Sequence, residues 1–331
     1  MRKLELLSFI LLAMMVSCRP SVVVDNLAIS NASVLDTLPS ENKFFFKIPI
    51  NYDVSIDCYF EAMDTLVRHY DSLTPYPLSE HLLVRANSWI IDSLENTDYY
   101  RQKERGIFVY NQPQLVILRK GDTLLVPTPE RAAILRDEMM HTVIDVNIPE
   151  FKLRIIENGD TLSTFLVRVG QNKRKYLSTA GREVDLRTQP GEGQIIRVET
   201  DPYFVDPASG KRFTHTRRDD GKTTIMPQIP WLEPELNGQR YGQLIHPTTN
   251  PKTLGKAYSN GCVGTGEADA WRIYYYAPIG TQVVFRYDLL RDSLSLKDIY
   301  GFGHKPVRAA MNFKRSEAVL RTMKHEFGCP F

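Results

Sequence analysis

The sequence predicts a mainly β domain carrying one short helix, preceded by a small α+β module. Three observations carry that expectation. Between residues 142 and 169, three runs alternate apolar and polar residues at the period of a strand with one buried face. Ile144, Val146 and Ile148 share a face of the first run, and Leu153 and Ile155 a face of the second. Further strand-like runs recur at 194–199, 242–246 and 281–287, with one helical stretch, 266–277, among them. Upstream, "FEAMDTLVRHY" and "LSEHLLVRANSWIIDSL" instead place apolar residues at helical spacing.

Taken in order, the 331-residue chain opens with Arg2 and Lys3, an apolar stretch from Leu6 to Val16, and then Ser17-Cys18. That stretch suits a signal peptide, since a spanning helix needs about 20 apolar residues. Met15-Val16-Ser17-Cys18 resembles the lipobox of bacterial lipoproteins, where cleavage exposes the cysteine for acylation. Residues 1–17 are therefore expected to be a leader, and Cys18 a lipid anchor facing the periplasm. Arg19 in place of an aspartate after it leans to the outer membrane. Residues 18–43 lack periodicity and read as a tether.

Residues 44–141 form the expected α+β module, whose role the sequence does not assign. Ser79 is the expected cap of its second helix, and "QLVILRKGDTLLVPTP" reads as a hairpin turning at Lys120-Gly121-Asp122. The β domain is expected over 142–288. Asn158-Gly159-Asp160 turns its second strand into its third, and the stripe Trp271, Tyr274 and Tyr275 on the helix reads as core. Residues 200–235 are rich in Asp, Pro, Gly and Arg without periodicity. They suit either a lid carrying Arg217 and Arg218 or a solvated insertion. A basic tail covers 289–331, where His325 and Cys329 alone make a weak metal pair.

Lysine plus arginine number 41 against 39 acidic residues, a net charge of +2. That balance speaks against the basic footprint of nucleic-acid binding. Four cysteines are present: Cys18, Cys58, Cys262 and Cys329. In an oxidising compartment Cys58 and Cys329 could pair; otherwise they are buried or free thiols.

Cys262 stands in "AYSNGCVGTG", a segment too polar for core and rich in glycines that let backbone approach another group. A catalytic thiol needs a base within reach and donors for the oxyanion formed on attack. His246, at the end of the "GQLI" run, is the candidate base. His69, His81, His141 and His215 lie in the module, at its border or in the long loop. The order His then Cys is not that of papain-like peptidases, and "YSNGC" does not match the Thr-Leu-x-Thr-Cys strand of sortases.

Ser259-Asn260-Gly261-Cys262-Val263, with His246 upstream, resembles the signature of the L,D-transpeptidases, the YkuD-domain family. "RTQPGEGQIIRV", "MPQIPW" and "APIGTQVVF" resemble further segments of that domain, over about 142–287. The pattern departs in two places. Asn260 stands where histidine is usual, and Gly264 where arginine is common; Lys256, Arg240 or Arg217 are candidates to replace that cation.

The resemblance implies a β-sandwich whose short helix follows the cysteine, and no cofactor or metal. It also implies acyl transfer on peptidoglycan stem peptides in cell wall biogenesis. Cys262 would form the thioacyl-enzyme, His246 would move the proton, and backbone N–H groups around Gly261 and Cys262 would bind the oxyanion, with Ser259 and Asn260 beside them. Tyr258, Trp231, Arg240, Lys256 and Arg217 are the expected substrate contacts, and carbapenems the expected inhibitors. An amine acceptor would give a 3–3 crosslink and water an L,D-carboxypeptidase. A non-catalytic lipoprotein that binds stems and a sortase-like transferase acting on protein signals are the remaining alternatives.

Overall fold

A computed structural model describes residues 44–288. The leader, Cys18, the tether, and the tail with His325 and Cys329 lie outside the described residues, and so does any Cys58–Cys329 pairing.

The N-terminal part runs β1 (Phe44–Pro49), β2 (Val54–Ser55), α1 (Ile56–Tyr70), α2 (Glu80–Ala86), α3 (Trp89–Glu95), α4 (Tyr99–Glu104), β3 (Val116–Leu118), β4 (Thr123–Pro127) and α5 (Pro129–Met140). Ser79 caps α2 by accepting the N–H of Leu82, as the sequence led one to expect. The long helical pattern over 78–94 breaks in two at Asn87, which is 2% exposed. Its amide donates to Leu83 O and Leu125 O and accepts the N–H of Leu125, so it serves β4 rather than continuing the helix. The expected hairpin at 120–122 is corrected: β3 pairs with β2, and β4 with β1. The turn is drawn to the end of β1, where Gly121 N–H donates to Ile50 O and Ile50 N–H to Asp122 O, both at 2.8 Å.

The second part contains β5 (Thr142–Asn147), β6 (Lys152–Glu157), β7 (Asp160–Leu166), β8 (Val169–Gly170), β9 (Arg174–Leu177), β10 (Arg182–Asp185) and β11 (Gly191–Glu199). It continues with β12 (His215–Arg217), β13 (Thr223–Ile225), β14 (Trp231–Leu236), β15 (Ile245–Pro247), β16 (Ala257–Ser259), β17 (Val263–Thr265), α6 (Glu267–Tyr276) and β18 (Gln282–Arg286). Eight of these strands form one mixed sheet in the order β17-β15-β14-β11-β18-β5-β6-β7. Asn158 and Gly159, with φ of 52° and 84°, make the tight turn between β6 and β7. Beyond β7, Arg168 bridges to Gly264 of β17, the opposite edge, so the sheet nearly closes on itself.

Two expectations are adjusted. Residues 200–235 are not one long loop, since they contain the β12–β13 hairpin and β14, which lies inside the sheet. The outer face of β5 is also buried: Asp145 is 0% exposed and ion-paired to Arg286 and Arg154.

Helix α6 is buried on two sides. Ile273 and Ala277 pack with Ile144, Ile155, Ile195, Ile245, Val263 and Phe285 inside the sheet. Trp271, Tyr274 and Tyr275 pack with Tyr59, Met63, Leu82, Ile90 and Leu94 of the N-terminal part. The aromatic stripe is core, as its spacing indicates, and the partner it covers comes from 44–141.

Candidate active site

Strands β15 and β17 run parallel, with Ile245 opposite Val263 and His246 opposite Gly264. Ile245 and Val263 point into the core; by alternation His246, Gly264 and, two residues earlier, Cys262 share the other face. Ladder spacings put the Cα atoms of His246 and Cys262 about 8 Å apart. The two side chains thus leave the sheet on the same face, one strand apart.

The loop carrying the thiol is held from several directions. Gly261 has a φ of +118°, a conformation that disfavours any side chain. Ser259 Oγ accepts the N–H of Gly261 at 3.2 Å and donates to Cys262 O at 2.5 Å. Thr188 Oγ1 accepts the N–H of Gly170 at 2.8 Å and donates to Gly261 O at 2.9 Å. Gly170 must be glycine for this approach, because a Cβ there would fall 2.0 Å from Leu186 O. Of the two expected oxyanion donors, the N–H of Gly261 is engaged by Ser259, whereas that of Cys262 has no partner among the described residues.

The protonation states follow from burial. Nδ1 of His246 lies 2.9 Å from Pro247 O; a carbonyl only accepts, so Nδ1 carries the hydrogen and Nε2 keeps its lone pair. Burial, with the Arg168 cation adding to it, lowers the imidazole to about 4, so the ring is neutral at neutral pH. Burial raises the Cys262 thiol, opposed by the Leu244 N–H and then by Arg168. The hydrogen bond at Sγ comes from Leu244 N–H, at 3.4 Å. The resting pair is therefore a neutral thiol and a neutral imidazole.

Of the other expected residues, Trp231 lies at the site, its ring 5.3 Å from that of His246 with Phe204 behind it at 5.4 Å. Tyr258 is 56% exposed on β16, next to the Cys262 loop. Asn260 makes no side-chain hydrogen bond among the described residues. Arg240 is ion-paired to buried Glu233, which also holds Arg197, and so is not a free cation. Lys256 and Arg217 are exposed, and no contact ties either to Cys262 or His246. Arg218 is excluded from a lid: its guanidinium is buried against Glu267 at the start of α6. Sequence reasoning missed Arg168, Leu244 and the role of Thr188. Thr188 was visible in "RTQPG"; Arg168 carried no local signal.

Three comparisons relate the chain to known proteins. Residues 141–285 match the family model for the L,D-transpeptidase catalytic domain, YkuD. A curated Bacillus licheniformis protein, named as an inferred L,D-transpeptidase YkuD, is 36% identical over 95 residues, covering 26% of this chain and 52% of that protein. The match thus spans about half the length of that relative. Among solved structures, an L,D-transpeptidase from Xylanimonas cellulosilytica is 14% identical, covering 75% of this chain and 100% of its own, with a TM-score of 0.33. L,D-transpeptidase 3 from Mycobacterium tuberculosis, solved with a faropenem-derived adduct, is 14% identical, covering 44% and 60%, with a TM-score of 0.29.

Proposed function

We propose, from the match of residues 141–285 to the family model for the L,D-transpeptidase catalytic domain, YkuD, that the chain performs acyl transfer on peptidoglycan stem peptides through Cys262. The observation that carries the proposal is the single face shared by Cys262 and His246, with the N–H of Cys262 open beside the sulfur.

In the proposed cycle, Nε2 of His246 takes the thiol proton as sulfur adds to the carbonyl of the third stem residue. The carbonyl oxygen becomes an oxyanion that accepts the Cys262 N–H; one such donor is worth about 3 kcal/mol in other acyl transferases. Collapse breaks the C–N bond, and the imidazolium returns its proton to the departing amine of the terminal D-amino acid. The thioacyl-enzyme then receives a second amine, deprotonated by the same ring, and the thiol leaves. Trp231 walls the site beside His246. An amine acceptor yields a 3–3 crosslink. A lipid on Cys18 would hold the domain beside the wall, facing the periplasm from the outer membrane.

The test is intact-mass spectrometry of the chain after incubation with a carbapenem. One covalent adduct is expected, mapping to Cys262 and lost in Cys262→Ala. A folded protein that stays unmodified would overturn the nucleophile. Digestion of treated walls with muramidase then distinguishes the acceptors: new 3–3 dimers for an amine, shortened monomers for water.

A further inference from the structure

Arg168 occupies the point where the sheet closes. Its N–H donates to Gly264 O at 2.8 Å and its carbonyl accepts the N–H of Gly264 at 2.9 Å. Gly264 therefore lies between His246 on one side and Arg168 on the other. The backbone of Gly264 is not in the left-handed region, so no conformational reason requires a glycine there. The reason is the arginine stem: a Cβ on Gly264 would fall 2.4, 2.7 and 3.0 Å from Nε, Cγ and Cδ of Arg168.

The guanidinium so placed is poorly matched. Nη1 makes one long hydrogen bond, 3.4 Å to Thr253 Oγ1. Nε is buried without a partner, and no carboxylate pairs with this arginine among the described residues. Buried charged donors are costly to leave unmatched, and a site that retains one has an anion to meet. The anion that arises on this face is the sulfur of Cys262. The other titratable groups around it are His246, across Gly264 on β15, and Tyr258 on β16, and the positive charge of Arg168 favours the thiolate of Cys262 and the neutral ring of His246.

We propose that Arg168 is the fixed cation of the site, stabilising the Cys262 thiolate as its proton leaves, and that Gly264 is a glycine so that the arginine can lie across it. The inference rests on Cys262 being the nucleophile. The same positive field disfavours a proton on His246, which keeps the ring available as the acceptor until substrate arrives. The cation thus comes from the far edge of the sheet rather than from the residue after Val263. Lys256, Arg240 and Arg217 are not needed for it.

The experiment reads the thiol directly and needs no turnover. The full chain in detergent is treated with iodoacetamide from pH 6 to 11, and peptide mass spectrometry follows alkylation at Cys262 apart from the other three cysteines. Arg168→Gln is expected to raise the alkylation midpoint by about one pH unit, slowing modification at pH 7 about tenfold. Arg168→Lys, which keeps the charge, should hold the midpoint near that of the parent. If Arg168→Gln does not melt cooperatively, Gly264→Ala, which forces the arginine aside, is expected to give the same upward shift. An unmoved midpoint in a folded neutral variant overturns the proposal. Absence of a carbapenem adduct on the parent protein would overturn the nucleophile instead, so the two failures are distinguishable.

Discussion

At the scale of single residues, the site depends on hydroxyls and amides that hold a backbone shape around one sulfur. Ser259 binds both neighbours of the reactive turn, Gly261 N–H and Cys262 O. Ser259→Ala is expected to lower turnover about tenfold or more and to cost about 1–2 kcal/mol of stability, measured by stem-tetrapeptide cleavage and by urea unfolding. His246 carries a second prediction. Because burial lowers its imidazole to about 4, the ring is deprotonated across the range in which an exposed histidine would titrate. The acid limb of kcat/KM is then expected to fall near pH 4 rather than near 6.5, and an NMR titration of the His246 Cε1 proton should show the same midpoint. A midpoint near 6.5 would mean that the ring is solvated rather than buried.

At the scale of elements, local pattern and final pairing part company where another segment competes for the backbone. The 120–122 turn has the residues of a hairpin, yet its N–H and C=O groups go to Ile50 because β1 lies alongside. Helical spacing over 78–94 continues through Asn87, but that side chain makes three hydrogen bonds that tie α2 to β4. Asn87→Ala should cost about 2–4 kcal/mol, since it leaves the Leu125 amide and carbonyl unmatched in the interior; chemical denaturation would measure it. Strand β14 was hidden by Pro234, a residue that argues against a central strand. The ladder tolerates it beside a register shift between Ile195 and Arg197. The turn at 158–160 and strands β5, β6, β11 and β18 were legible because each is set by its own alternation and turn chemistry.

At the scale of the whole molecule, the hydrophobic core crosses the change in sequence pattern at residue 141. Tyr59 and Tyr275 hydroxyls meet at 2.6 Å, Arg272 is held by Glu95 and Asp92, and Arg85 by Glu157. Each contact joins residues 44–141 to the domain that bears the thiol. Removing the N-terminal part would expose Trp271, Tyr274 and Tyr275 on the helix that follows Cys262. A 141–288 fragment is expected to lack a cooperative unfolding transition and to lose carbapenem acylation. A dispersed amide NMR spectrum from that fragment would refute this. The N-terminal part therefore acts at least as the second wall of α6.

The sequence alone singled out Cys262 as the candidate thiol, His246 as its candidate base and the glycine turn before the cysteine, because a reactive loop needs particular residue types within a short span of chain. It also determined which runs alternate as strands, a property each run carries by itself. Tertiary structure alone decided that Arg168 lies across Gly264, that Arg218 is buried against Glu267, and that the Gly261 amide is engaged while that of Cys262 is open. It also decided which surface covers the aromatic stripe of α6. These outcomes depend on sheet closure and on packing between segments far apart in the chain, where no local period or motif records the partner.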